Sequence, residues 1–118
     1  MTEYAILPHV DPSVLSALED VMEAEYPTLL DTFLSDSQNR LNKLREALDL
    51  DAIVQQAHSF KGSSSNMGAL RLADLCSRLE QCAHRPAECD VQQLIGQIGV
   101  EFGAVKPLYE RERERYSA

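Results

Sequence analysis

Apolar residues in this chain return every three or four positions, in four successive segments separated by helix stop and start signals. That spacing lines one side of a helix, whereas a half-buried strand needs strict alternation. The first long segment opens near Pro27 and carries Leu30, Phe33, Leu34, Leu41, Leu44 and Leu48. A break near Asp49 to Asp51 leads to a second, from about Asp51 to Met67, which Gly68 closes. Its stripe is Leu50, Ile53, Ala57, Phe60, Ser64 and Met67. The third runs from about Leu70 to His84 on Leu72, Leu75, Cys76, Leu79 and Cys82, until Arg85-Pro86 ends it. The fourth spans roughly Asp90 to Tyr116, with Val91, Leu94, Ile95, Ile98, Phe102, Val105 and Leu108 on its apolar side. Ahead of them, Asp11-Pro12-Ser13 is a capped helix start with Pro at the first helical position. Val14, Leu15, Leu18, Val21 and Met22 give that leading helix an apolar face.

The expected fold is all-α: an antiparallel four-helix bundle over residues 11–116, with a short N-terminal capping helix behind a tail of residues 1–10. A chain of 118 residues fits one such domain, and only 5 Gly and 5 Pro leave little turn material for a β-sandwich. Gly96, Gly99 and Gly103 each cost about 1 kcal/mol in a helix relative to Ala, so close packing against a neighbour, or else a local bend, is expected there. Pro107 should kink or loosen the last helix, and the alternating charges from Glu110 to Arg115 read as its solvated end.

Charge and cysteines narrow the function classes. With 11 Lys and Arg against 19 Asp and Glu, the net charge of -8 argues against a nucleic-acid partner. No uncharged apolar run approaches the roughly 20 residues of a membrane span, and the N-terminus lacks the pattern of a secretory signal. A cytoplasmic protein with reduced thiols is expected, because Cys76, Cys82 and Cys89 make an odd set for a disulfide framework. Together with His84 these cysteines do not match the spacing of a zinc site, so no metal is expected. His9 falls in the tail and His84 at a helix end, neither with a constellation around it.

His58 is different. At about 100° per residue it lies roughly 130° from the centre of its helix's core stripe, so it points to solvent. Val54 and Gln55 precede it by one turn, and Lys61, Gly62 and Ser65 follow it on the same surface. Lys61 at i+3 puts an ammonium within reach of an anion carried by the imidazole. Gly62 at i+4 removes a side chain on an exposed face, where core packing does not explain the loss. A nucleophilic nitrogen on a rigid helix, cleared on one side and bordered by a cation, suits reversible acceptance of a phosphoryl group.

The run Ala57-His58-Ser59-Phe60-Lys61-Gly62-Ser63-Ser64-Ser65-Asn66-Met67-Gly68, continuing to Ala73, strongly resembles the phosphorylation segment of histidine-containing phosphotransfer (HPt) domains. Residues 75–80 are similar to the helix that follows it in that family, and residues 26–48 to its long first bundle helix. The resemblance implies that His58 is the phospho-acceptor, Lys61 the charge partner of the phosphoryl group, and Gly62 the residue giving access. Glu80 falls where the family often has a polar residue near the imidazole, and Val54, Gln55 and Ser65 would belong to the docking surface.

It also implies a phosphocarrier in a two-component phosphorelay, a monomer of the freestanding bacterial type. Such a carrier takes phosphate from the receiver of a hybrid sensor kinase and passes it to the receiver of a downstream response regulator. The family's carriers bind no cofactor of their own; the Mg2+ belongs to the partner receiver. The sequence has no nucleotide-binding glycine loop that would make it a kinase. The competing expectation is a helical adaptor that binds a regulatory protein without phosphorylation, which explains the bundle but not Lys61 and Gly62 beside His58.

Overall fold

The computed structural model describes residues 8–116. Five helices account for most of them: α1 (Pro12–Met22), α2 (Tyr26–Glu46), α3 (Leu50–Asn66), α4 (Leu70–His84) and α5 (Val91–Glu114). Single 3-10 turns occupy Glu23–Glu25 and Pro86–Glu88. Three aspartates start helices in the same way. The carboxylate of Asp11 accepts from the Ser13 backbone N–H at 2.9 Å, that of Asp49 from Ala52 at 2.8 Å, and that of Asp90 from Gln93 at 3.0 Å. Each satisfies a backbone donor that the first helical turn leaves unpaired.

The helices pack in a closed cycle, α2 on α3, α3 on α4, α4 on α5 and α5 on α2. This is the expected four-helix bundle. Its core is aliphatic with a few rings: Leu30, Phe33 and Leu44 from α2, Ile53 and Phe60 from α3, Leu72 and Leu79 from α4, and Ile98, Phe102 and Val105 from α5. Tyr109 is buried with them and donates its hydroxyl to the Met67 carbonyl at 2.7 Å, fixing the end of α3 against α5. Burial pushes the Tyr109 phenol upward, so it remains a donor. Gly68 ends α3 at φ 77, where a Cβ would stand 2.9 Å from that of Val14 and 3.1 Å from the Asp11 carbonyl oxygen. The Asp11 N–H in turn donates to the Gly68 carbonyl at 2.8 Å, so α1 is pinned to the α3–α4 turn.

Several expectations change. The apolar period overruns its helices: Val21 is exposed at the end of α1, Leu50 is partly exposed, and Leu48 stands 99 % exposed in the α2–α3 connection. Of the three α5 glycines, only Gly99 approaches a neighbour, the guanidinium of Arg45, while a Cβ at Gly96 or Gly103 would meet nothing within 4 Å. Close helix packing therefore does not account for them. Pro107 sits within a continuous α5, and the carbonyl it leaves unpaired is that of exposed Gly103, which water can reach. Reduced thiols also need correction, because Cys82 and Cys89 form a disulfide. The Arg85-Pro86 break folds the chain back until their Cα atoms are 5.9 Å apart, a proximity set by the turn rather than by spacing. Cys76 remains a free thiol in the core, pushed up to about 12 by burial and hence unreactive.

Candidate functional site

α3 turns its core stripe of Ile53, Ala57, Phe60, Ser64 and Met67 inward, which leaves His58 outward with 68 % of its side chain exposed. Its partner comes from the neighbouring helix. Glu80 stands on the edge of α4 that faces α3, because Leu72, Cys76, Leu79 and Ala83 occupy the buried side of the same helix. Its Oε2 lies 3.0 Å from His58 Nδ1, and its Oε1 lies 3.6 Å from Lys61 Nζ. One carboxylate thus touches both the imidazole and the ammonium.

That contact settles the tautomer. A carboxylate only accepts, so Nδ1 carries the proton and donates it to Glu80. In the neutral ring this leaves Nε2 with its lone pair, the nucleophilic form. Glu80 is itself 21 % exposed, which makes it a better-fixed anchor than a freely solvated glutamate. Lys61 lies one turn beyond the imidazole, its charge held close by Glu80.

An open cavity of about 550 Å³ continues past Lys61 between α3 and α4, lined by Lys61, Gly62, Ser65, Asn66, Ala73, Asp74 and Ser77 among others. Gly62 and the small side chains of Ser65, Ala73 and Ser77 form half of its walls. A Cβ at Gly62 would touch no atom within 4 Å, so even the first side-chain carbon faces open space there. Gln55 and Ser65 are exposed on the same helix, whereas Val54 is half-buried and packs against the core. The structure thus joins His58, Lys61 and Glu80, places Gly62 and Ser65 on the adjoining groove, and gives Val54 a share in the core. Among the described residues no set of three or more His, Cys, Asp or Glu converges as a metal site, and no helix is long and apolar enough to cross a membrane.

A second histidine cluster is not visible in the sequence pattern. His9 Nδ1 lies 2.7 Å from Oε2 of Glu101, and its Nε2 lies 3.4 Å from Arg71 Nη1. Glu101 is buried on α5, a position that reads as a gap in the apolar stripe between Ile98 and Phe102. That buried acid was the available signal; its partner His9 lies 92 positions away and carries none.

Comparison with known proteins agrees with this geometry. A family model described as Hpt domain matches residues 28–106, which include His58, Lys61 and Glu80. The crystal structure of histidine-containing phosphotransfer protein B (HptB) from Pseudomonas aeruginosa PAO1 is similar at a TM-score of 0.89 and 50 % identity, covering 92 % of this chain and 97 % of that one. Histidine-containing phosphotransfer protein 2 of Arabidopsis thaliana is 27 % identical over 84 residues, which is 66 % of this chain. The match spans about half of that plant protein, 54 % of its length. With the family pattern running through α2 to α5 and the site it contains, the chain belongs to the Hpt domain family.

Proposed function

We propose that the protein is a phosphocarrier of a two-component phosphorelay, accepting a phosphoryl group on Nε2 of His58 from the aspartyl phosphate of a receiver domain and returning it to the aspartate of another. The observation that carries this reading is the single carboxylate of Glu80 between the Nδ1 of an exposed histidine and the ammonium of Lys61.

The residues divide the work. Nε2 attacks phosphorus, the acyl-phosphate P–O bond breaks, and the receiver's carboxylate leaves with the bonding pair. Because Nδ1 keeps its proton, the phosphorylated ring is cationic, and Glu80 faces that charge directly. Lys61 exchanges part of its contact with Glu80 for the phosphoryl oxygens, whose charge it offsets. Since the transfer needs chiefly positioning and charge compensation, one rigid helix pair is enough on the carrier's side. The receiver supplies the Mg2+ and the rest of the charge stabilisation, and the carrier has no kinase activity of its own. Donors are the receivers of hybrid sensor kinases, and the acceptor is that of a downstream response regulator. The carrier acts as a monomer.

A phosphorylation-independent adaptor would leave the His58–Glu80–Lys61 arrangement without a use. Incubation with a phosphorylated receiver domain tests the proposal. Label should move to the wild-type protein and not to His58→Gln; label on both, or on neither, overturns it.

A further inference from the structure

The three cysteines occupy two different settings. Cys76 is a free thiol enclosed in the core, out of reach of solutes. The Cys82–Cys89 disulfide lies instead in the wall of an open cavity of about 600 Å³ beside the end of α4. Cys82 is buried at 5 % exposure, whereas Cys89 is exposed, so the Cys89 sulfur is the one that an attacking thiolate can reach. Arg78 and Arg85 border the cavity, but Asp74 engages the first at 3.0 Å and Glu88 the second at 4.0 Å. Access rather than charge therefore sets this pair apart from Cys76.

The link spans only seven positions, and a short loop constrains the unfolded chain less than a long one. The bundle is held by its own packing from α2 to α5. What the disulfide does hold is the end of α4. Pro86 follows the C-cap Arg85, so the left-handed glycine that closes many helices is absent there. The Arg85 N–H donates to the Cys82 carbonyl at 3.0 Å, and the disulfide ties the same residue covalently to the connection beyond. Glu80 lies in the final five residues of α4, two positions before Cys82. At about 100° per residue the two side chains leave the helix on opposite sides, so the link reaches Glu80 through the backbone of the last turn and not by contact.

We propose that Cys82 and Cys89 form a dithiol–disulfide exchange site, and that its oxidised form keeps the last turn of α4, and with it Glu80, in register with His58. A thiolate of an external dithiol attacks Cys89 Sγ, the Cys82–Cys89 bond breaks, and Cys82 leaves with the bonding pair and takes a proton. The second thiolate of the dithiol then attacks the reductant's own sulfur in the mixed disulfide, and Cys89 leaves and is protonated. Two electrons pass to the protein, whose sulfurs are reduced while those of the dithiol are oxidised to a disulfide. The effect on phosphoryl transfer rests on the phosphocarrier reading; the exchange and its effect on Glu80 do not.

The test equilibrates the full chain in dithiothreitol redox buffers under native conditions and follows thiol alkylation by mass, amide hydrogen exchange and the side-chain nitrogen-15 signals of His58. Reduction should add two alkylated thiols per chain, with Cys76 unlabelled as the internal control. Exchange at residues 80–85 should quicken about tenfold in the reduced form, while that of residues 50–57 stays unchanged. The His58 signals should move from a single form protonated at Nδ1 toward a mixture of tautomers, and transfer from a phosphorylated receiver should slow about threefold. Cys89→Ser should show the reduced-state values in both buffers; the position is exposed, and a retained cooperative unfolding transition confirms the fold. Alkylation that requires denaturant, unchanged exchange and His58 signals after reduction, or redox sensitivity that survives in Cys89→Ser would overturn the proposal. Absence of transfer to either form would strike the phosphocarrier reading alone, because alkylation, exchange and the His58 signals still decide the redox site.

Discussion

His58 and His9 are built from the same parts and leave different atoms free. Each sends Nδ1 to a glutamate, Glu80 at 3.0 Å and Glu101 at 2.7 Å, and each has a cation close by, Lys61 or Arg71. They differ in what remains free. Beside His9, the guanidinium approaches Nε2 itself, and because arginine only donates, that nitrogen is used as an acceptor. Beside His58, Lys61 contacts the glutamate instead, and among the described residues Nε2 has no hydrogen-bond partner. The glutamates differ too, since Glu101 keeps only 7 % of its side chain exposed and Glu80 keeps 21 %. A histidine–carboxylate–cation set is therefore not by itself a reactive site. On the proposed mechanism, the placement of the cation separates a ring nitrogen free to act as nucleophile from one used as a structural acceptor.

The largest effect expected from this contrast is an all-or-none one. His58→Gln should abolish phosphoryl acceptance with unfolding unchanged, while His9→Gln should accept phosphate at the wild-type rate; labelled transfer from a phosphorylated receiver measures both. Next comes the carboxylate. Glu80→Ala frees the ring to take either tautomer and leaves the developing cation unopposed, so transfer should slow by about ten- to a hundredfold. Glu80→Gln restores orientation without charge and should recover only part of that loss. Equal rates for all three proteins would show that the glutamate neither orients nor compensates.

The His9 cluster should answer in stability instead. His9→Ala removes a hydrogen-bond partner from a carboxylate that is nearly buried, which should cost about 1–3 kcal/mol in chemical denaturation and leave transfer rates alone. The smallest effect concerns the cap of the same N-terminal segment. Hydrogen bonds from the Ser13 hydroxyl and then its backbone N–H hold the Asp11 carboxyl below its ordinary value of 3.8. A lowered folded-state value adds stability that is fully present above 3.8 and disappears as pH falls through the lowered value. Asp11→Ala should therefore unfold slightly earlier than wild type near neutral pH, with the gap closing in acid; a gap independent of pH would contradict the cap.

What the sequence made legible follows the range of the forces involved. Helix spans, the Asp11 cap and the outward position of His58 are local properties of period and turn chemistry, and they agree with the structure except at helix ends, where Leu48 and Leu50 fall on core stripes by period and stand exposed. Lys61 and Gly62 are equally local. Glu80 is a half-way case: its helix is legible, but its distance from His58 depends on how α4 slides against α3, which no periodicity encodes. His9 with Glu101, and Cys82 with Cys89, were out of reach for different reasons. The first joins residues 92 positions apart, and the second depends on how tightly the Arg85-Pro86 turn closes. The glycines of α5 went the other way, since their cost is visible in the sequence but the packing expected to offset it is absent at Gly96 and Gly103.

The central claim is that Glu80 holds the proton on Nδ1 and so presents Nε2 of His58, and of no other histidine, to a phosphorylated receiver. Nitrogen-15 correlation spectra of the histidine side chains, recorded before and after phosphorylation, test it directly. The account predicts a protonated Nδ1 at His58 beforehand, phosphorus bonded to its Nε2 afterwards, and an unmodified His9 throughout. Phosphorus on Nδ1 of His58, or on His9, would contradict it.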